Sequence, residues 1–133
     1  MARLLLLPGL LLLAAAPLAA QQTHVVRLSP SVARNVFRFS PGKVTVKPGD
    51  VVEFRAEAGT PYVVAFEPAD LDPRGQGLLA AALARPRGEL RTPVLADSGS
   101  RFRLTVPALR RGSYRFFCLT HLAYRMAGTL VVE

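Results

Sequence analysis

The last third of the chain reads Gly112-Ser-Tyr-Arg-Phe-Phe-Cys118-Leu-Thr-His121-Leu-Ala-Tyr-Arg-Met126-Ala-Gly-Thr-Leu-Val-Val-Glu133. Apolar and polar residues alternate up to Cys118 and again after Met126, which predicts two strands joined by a loop. The loop would carry His121. A thiol, an imidazole and a thioether are therefore expected to meet at one end of a two-stranded hairpin.

These three side chains form a donor set suited to copper, because thiolate and thioether favour Cu(I) and imidazole binds both oxidation states. Cys118 is the only cysteine, so it has no partner for an internal disulfide, and a zinc site would lack its second pair of ligands. A cysteine and a histidine three residues apart are not a protease pattern. The alternative is a buried thiol, a surface histidine and a core methionine that share no ligand.

The chain upstream predicts further short strands separated by turn residues. Lys47-Pro-Gly-Asp50 is a turn, in which proline presets one dihedral and glycine supplies a positive φ. The strands on its two sides are expected to form a hairpin. The full set of eight predicted strands is 24–28, 35–40, 43–46, 51–56, 62–66, 101–106, 113–118 and 128–133.

Residues 68–98 interrupt this series of strands. Gln76 to Ala84 predicts one short helix, which Arg85-Pro-Arg-Gly88 would end because proline does not fit a helix interior. Pro68 to Pro73 is expected to be a loop. The fold class is therefore all-β, a sandwich or barrel with one short inserted helix.

The first twenty residues have the pattern of a signal peptide, with Arg3, an apolar run and small residues before Gln21. We expect residues 21–133 to form a single domain in an extracytoplasmic compartment, secreted or periplasmic, with no integral membrane segment after cleavage. An uncleaved leader would instead anchor the protein to a membrane. The part after the leader keeps 16 of 17 basic residues and all 9 acids, a formal charge of +7. An acidic protein partner or an anionic envelope surface is expected, and nucleic acid is not.

Gly-x-Tyr-x-Phe-x-Cys118, the Cys-x2-His-x4-Met spacing and the final Gly-Thr-Leu-Val-Val strand resemble the plastocyanin group of cupredoxins, the blue-copper proteins. Residues 42–54 resemble the early hairpin of this family, and 60–64 resemble its first ligand loop. The resemblance implies a Greek-key β-sandwich, one-electron carriage and copper held by Cys118, His121 and, weakly, Met126.

One expected ligand is replaced. In the family, the proline of the first ligand loop is followed by histidine and often then by asparagine, whereas Pro61 is followed by Tyr62 and Val63. Tyr62 would be either a fourth donor or a blocker that leaves copper with three ligands. The other histidine, His24, would lie in the first strand, at the end remote from copper.

The leading hypothesis is an extracytoplasmic copper protein that carries single electrons through an exposed His121, or handles Cu(I), with an acidic redox or copper-donor protein as partner. The rival hypothesis is a metal-free binding or structural module of the cell envelope. A weaker alternative is an accessory domain that delivers metal to a copper enzyme. No phosphate-binding loop or paired carboxylates occur in the sequence, and we expect no enzymatic activity.

Overall fold

The computed structural model describes residues 20–31, 36–58 and 61–133. This part of the chain has eight strands and one α-helix. The strands are β1 (Thr23–Ser31), β2 (Val36–Ser40), β3 (Lys43–Val46), β4 (Val51–Ala56), β5 (Val64–Phe66), β6 (Arg101–Thr105), β7 (Gly112–Cys118) and β8 (Ala127–Val132). The predicted leader (1–20, apart from Ala20), Asn35 and Thr60 lie outside the described residues.

The strands form two four-stranded sheets, in the orders β2-β1-β4-β6 and β3-β8-β7-β5. β1 is parallel to β4 and β3 is parallel to β8, while the other neighbours are antiparallel. Inward side chains from both sheets form one apolar core. The predicted all-β sandwich with one short helix is confirmed.

Aromatic side chains make up the centre of the core. Phe116 from β7 meets Phe39 and Phe54 of the opposite sheet edge-to-face, with ring centroids 4.8 and 5.4 Å apart, a favoured geometry for aromatic pairs. Gly128 of β8 faces the same ring, and a Cβ atom at Gly128 would lie 2.6 Å from two Phe116 ring carbons. Phe116 is therefore held closely on both sides, two residues before Cys118.

The predicted hairpin of β3 and β4 is wrong. The turn forms as expected, with Gly49 at φ 92° and the Asp50 N–H donating to the Lys47 carbonyl at 3.0 Å. However, β3 pairs with β8 in one sheet and β4 pairs with β1 and β6 in the other. The turn therefore crosses between layers, because both strands bury apolar side chains in the core that separates the sheets.

Two strands differ in extent from the prediction. β1 continues through Ser29-Pro30-Ser31, which was expected to be a turn. Proline is tolerated there because β4 pairs with β1 only as far as Leu28, so β1 has a single neighbour at Pro30. In contrast, β5 is shorter than expected, and Tyr62 makes only an isolated bridge with Leu95.

The helix α1 spans Pro73–Ala82, so it begins three residues earlier than predicted and ends two residues earlier. Asp72 caps it by accepting from the Gly75 N–H at 2.6 Å, and Pro73 occupies the first helical position. Pro68–Asp70 is a 3-10 helix rather than an irregular loop. Within the described ranges, no helix has the length and apolar character to span a bilayer.

Candidate metal centre

Cys118 is the last residue of β7 and is completely buried. Its backbone N–H donates to the Met126 carbonyl at 3.0 Å, and the next N–H, of Leu119, donates to the Val63 carbonyl at 2.9 Å. The end of β7 is thus tied both to the start of β8 and to the segment that contains Tyr62. These contacts place the predicted first ligand loop next to the predicted ligand hairpin.

His121 lies in a tight 3-10 segment, Leu119–Tyr124, that has a kink at His121 itself (φ −128°, ψ 32°). The kink turns the imidazole inward, so that Nδ1 lies 3.4 Å from the Cys118 Sγ. Arg125 then adopts a left-handed conformation (φ 53°) and directs the chain back to Met126, which is 2% exposed. The structure therefore brings Cys118 and His121 together, with Met126 beside them.

The side chain of Thr120 is part of this site, although the sequence analysis did not identify it. Its hydroxyl donates to the Pro61 carbonyl at 2.8 Å and lies 3.1 Å from both the Cys118 Sγ and the His121 Nδ1. Thr120 thus links the two loops through a polar contact. The only sequence signal was a hydroxyl residue next to the candidate histidine, which is too common to indicate a role.

Two aromatic rings cover the imidazole from the side of the solvent. Phe37 stacks on His121 with ring centroids 4.0 Å apart and an interplanar angle of 27°, and Tyr124 contacts Phe37 edge-on at 4.6 Å. His121 is consequently only 9% exposed, so the expected exposed His121 is wrong. Burial lowers the pKa of His121, which favours the neutral imidazole that a metal ion requires.

Tyr62 lies next to His121, with ring centroids 4.9 Å apart, and is fully buried. Its hydroxyl donates a hydrogen bond to the Ala58 carbonyl. Burial, together with electrostatic interactions with Cys118 and Glu57, raises the pKa of Tyr62 to about 12. Since a phenol must lose its proton to become a strong ligand, this arrangement favours the role of blocker over that of fourth donor. Val63, at the predicted asparagine position, is also buried.

His24 lies at the opposite end of the sandwich. Its Nε2 contacts the Asp50 Oδ2 at 3.1 Å, where β1 and β4 begin. Asp50 ends the turn after β3, and the last residue of β3, Val46, is in register with Val132 at the end of β8. Cys118 is at the other end of β7, beside the start of β8. His24 is therefore too remote to supply the missing imidazole.

A family model described as copper binding proteins of the plastocyanin/azurin family matches residues 26–133. The chain belongs to this family. It is 30% identical over 118 residues to plastocyanin of Nostoc punctiforme, covering 88% of this chain and 78% of that protein. It is 31% identical over 95 residues to plastocyanin of Vicia faba, covering 71% and 87% of the two chains. The structure of oxidized plastocyanin from Dryopteris crassirhizoma has a TM-score of 0.63 and 27% identity, covering 82% of this chain and 99% of that chain.

The cofactor of this cupredoxin family is copper, and the side chains at the end of β7 fit a metal ion with few ligands. Zinc belongs to the same period as copper and serves as a guide to bond lengths. It bonds thiolate sulfur at about 2.3 Å and imidazole nitrogen at about 2.0 Å. One such ion can reach both atoms across the 3.4 Å between the Cys118 Sγ and the His121 Nδ1. No group of three Cys, His, Asp or Glu side chains suited to a metal occurs in the described ranges, and Met126, whose carbonyl accepts from the Cys118 N–H, is the third donor that the sequence predicts.

Proposed function

We propose that this cupredoxin binds copper through Cys118, His121 and Met126, and that it carries single electrons or hands on Cu(I) outside the cytoplasm. The observation that supports the proposal is the 3.4 Å approach of the buried Cys118 Sγ to the His121 Nδ1. Bound copper would supply the one-electron couple. The donor set favours Cu(I), because the two soft sulfur ligands are present and a second imidazole is not.

The residues of the chain would shield and connect this site. Tyr62, Phe37 and Tyr124 surround the imidazole, and this cover keeps water and bulky molecules from the metal. Tyr124 and Leu122 are 42% and 55% exposed, so the cover continues to the surface. We infer that electrons cross here through van der Waals contact with a partner, and that the protein is a carrier rather than an enzyme.

The sequence supports the proposed location and partner. The leader pattern in residues 1–20 supports export to the periplasm or the cell exterior. A formal charge of +8 for the whole chain favours an acidic protein as redox or copper-donor partner.

A metal-free binding module of the envelope is the second candidate. It is favoured by the complete burial of Tyr62, whose ring fills part of the space next to His121 without help from a metal. In this case Thr120 and its hydrogen bonds would complete a purely structural loop.

Metal titration of the mature protein distinguishes these functions. Anaerobic Cu(I) in the presence of a competing chelator should bind at one site, while Cu(II) should give weak thiolate-to-copper charge transfer at most. Binding should be lost in Cys118→Ser and strongly weakened in His121→Gln. His24→Gln is the matched control, since these are the only two histidines in the chain.

Three other results would distinguish the candidate functions in different ways. Intense visible colour with Cu(II) would indicate a complete electron-transfer centre. No binding of either ion would favour the metal-free module. Equal affinity in Cys118→Ser and the parent protein would mean that copper binds elsewhere.

A further inference from the structure

The outer face of the sheet β2-β1-β4-β6 carries five arginines. Alternate residues of these strands point into the core, and the residues between them point away from it. The outward set includes Arg27 of β1, Arg38 of β2, Arg55 of β4, and Arg101 and Arg103 of β6. We call this surface the arginine face.

Three of these arginines lie side by side. Arg27 is in register with Arg55, and Arg55 is in register with Arg101. Neighbouring strands are about 4.8 Å apart, so three positive side chains lie in one row across about 10 Å. Like charges directly opposite each other destabilise a sheet. The repulsion in this row therefore lowers the stability of the sheet unless nearby anions offset it.

One buried carboxylate holds most of the row in place. Glu53 is 2% exposed, and its carboxylate accepts from the Arg55 Nε at 3.2 Å and the Arg103 Nη1 at 3.2 Å, with the Arg101 Nη1 3.7 Å away. A second pair, between Arg27 and Glu57, measures 3.3 Å. Four of the five guanidinium groups thus share two carboxylates, which leaves an excess of positive charge on this face.

The other sheet differs. Its strands β3, β5, β7 and β8 carry only Lys43 and Arg115 as charged residues, and Arg115 pairs with Asp70 at 3.4 Å. The positive charge of the strands is therefore concentrated on one side of the sandwich. Unfavourable local arrangements, such as like charges on neighbouring strands, are expected mainly at functional or strained sites.

The arginine face reaches the metal centre through β2. Arg38 is exposed and directly follows Phe37, whose ring stacks on His121 at 4.0 Å. Arg55 and Arg101 lie at the same half of the sheet, since β4 runs towards the segment that carries Tyr62. A molecule bound to these arginines would border the aromatic cover of His121.

We propose that the arginine face docks an acidic surface of a partner protein next to the aromatic cover of His121. The inference rests on the proposed function only in taking this partner to be the one that exchanges electrons or copper with the site. Guanidinium groups form planar, bidentate pairs with carboxylates, and the face contains no lysine. Glu53 preorganises three of these groups, which reduces the entropy lost on binding.

An anionic membrane is a less suitable occupant. Peripheral membrane binding usually combines basic side chains with apolar side chains that enter the lipid. The exposed large apolar residues of the described chain are Val94, Leu122 and Tyr124, and none of them belongs to the strands of this sheet. The arginine face is therefore charged and carries no large exposed apolar side chain, as a surface for pairing with carboxylates should be.

Titration of the copper-free protein with a glutamate homopolymer of about 20 residues tests the inference by NMR at low salt, when surface charges are least screened. Amide shifts should concentrate on β1, β2, β4 and β6. The double variant Arg38→Gln, Arg101→Gln should raise the Kd about tenfold, while Arg55 and Arg103 continue to neutralise Glu53. The matched control, Lys43→Gln with Lys47→Gln, removes the same charge away from this face and should change the Kd less than about twofold.

Equal losses in the two double variants would overturn the inference, because only net charge would then matter. Shifts confined to another surface would overturn it as well. Vesicles of phosphatidylglycerol serve as a separate arm, and binding to them in preference to the homopolymer would reassign the face to a membrane. Because no copper is present, the result does not depend on whether the metal-binding proposal is correct.

Discussion

Tyr62 is the residue that most distinguishes this site from the cupredoxin pattern. In that pattern a second imidazole follows the proline, whereas here a buried phenol donates its proton to the Ala58 carbonyl. Its pKa of about 12 keeps the group neutral in ordinary conditions. In the proposed copper site the ring would restrict the metal to the donors on the opposite loop, and a three-coordinate site suits Cu(I) better than Cu(II).

Replacing this phenol with an imidazole should restore the missing donor. We expect Tyr62→His to give intense visible charge transfer when Cu(II) is added, because the trigonal set of two imidazoles and one thiolate is typical of blue-copper sites. Absorption spectroscopy of the mature protein, with and without Cu(II), measures this directly. A variant that folds but remains colourless would show that position 62 does not face the metal.

Tyr62→Phe is the control for this variant, because it removes only the hydroxyl. Loss of the hydrogen bond to Ala58 should cost about 1 kcal/mol of stability, and Cu(I) affinity should remain near that of the parent. A large fall in Cu(I) affinity would instead make the hydroxyl of Tyr62 a ligand.

Individual residues of the site were predictable to different degrees. Cys118, His121 and Met126 were predicted as ligands because three uncommon donors have a characteristic spacing along one hairpin. Thr120 and Phe37 were not, since their roles depend on contacts between segments that are distant in sequence. The burial of His121 was missed for the same reason, because Phe37 of β2 covers it.

At the scale of elements, alternation of apolar residues located the strands well, but it did not determine their partners. β3 and β4 both have this pattern and are joined by a tight turn, yet they belong to different sheets. A turn fixes only the local direction of the chain, whereas pairing depends on how both sheets cover the core. The start of α1 was missed because Asp72 and Pro73 resemble loop residues until their capping contact is seen.

A residue just after the end of α1 has a backbone conformation that lowers the stability of the protein. Ala84 has φ 56°, and the bonds from the Ala84 N–H to Ala81 and from the Arg85 N–H to Ala80 form the helix end that glycine usually completes. A left-handed alanine costs about 1–2 kcal/mol, partly offset by the entropy that glycine adds to the unfolded chain. Ala84→Gly should therefore raise the free energy of unfolding by about 0.5–1 kcal/mol.

Thermal unfolding should show this gain as a rise in Tm of a few degrees. Ala81→Gly makes the same chemical change inside α1, and it should lower stability by about 0.5–1 kcal/mol. If both variants were destabilised alike, the left-handed conformation of Ala84 would be wrong.

β8 can approach β7 so closely only because Gly128 lacks a side chain. A Cβ atom there would lie 2.6 Å from two ring carbons of Phe116 and 2.9 Å from the Gly42 carbonyl oxygen. Gly128→Ala should lower the free energy of unfolding by about 1–3 kcal/mol, seen as a lower denaturant midpoint. Gly77→Ala in α1, where the added Cβ meets nothing within 4 Å, should instead be stabilising. Parent-like stability of Gly128→Ala would rule out this close packing.

At the scale of the whole molecule, two buried carboxylates stabilise the sheet that contains β4. Asp50 is held below its ordinary pKa of 3.8, chiefly by the backbone N–H of Lys47 and against the opposing effect of burial. Glu53 is held below its ordinary pKa of 4.5, chiefly by its hydrogen bond with Arg55 and again against burial. Both groups favour the folded state only while they are ionised.

Acid should therefore destabilise the copper-free protein. The pKa of each carboxyl group is lower in the folded chain than in the unfolded chain, so the unfolded chain binds more protons as the pH falls. The stabilisation is complete above the unfolded pKa, and it is lost as the pH falls through the folded pKa. Urea unfolding between about pH 7 and pH 3 should show a decline that begins near the ordinary pKa of these groups. Glu53→Gln should be less stable at neutral pH, because Arg55 and Arg103 lose their anion, and should decline less steeply in acid. If the free energy of unfolding of Glu53→Gln changed with pH in parallel with that of the parent, the ionised form of Glu53 would not stabilise the fold.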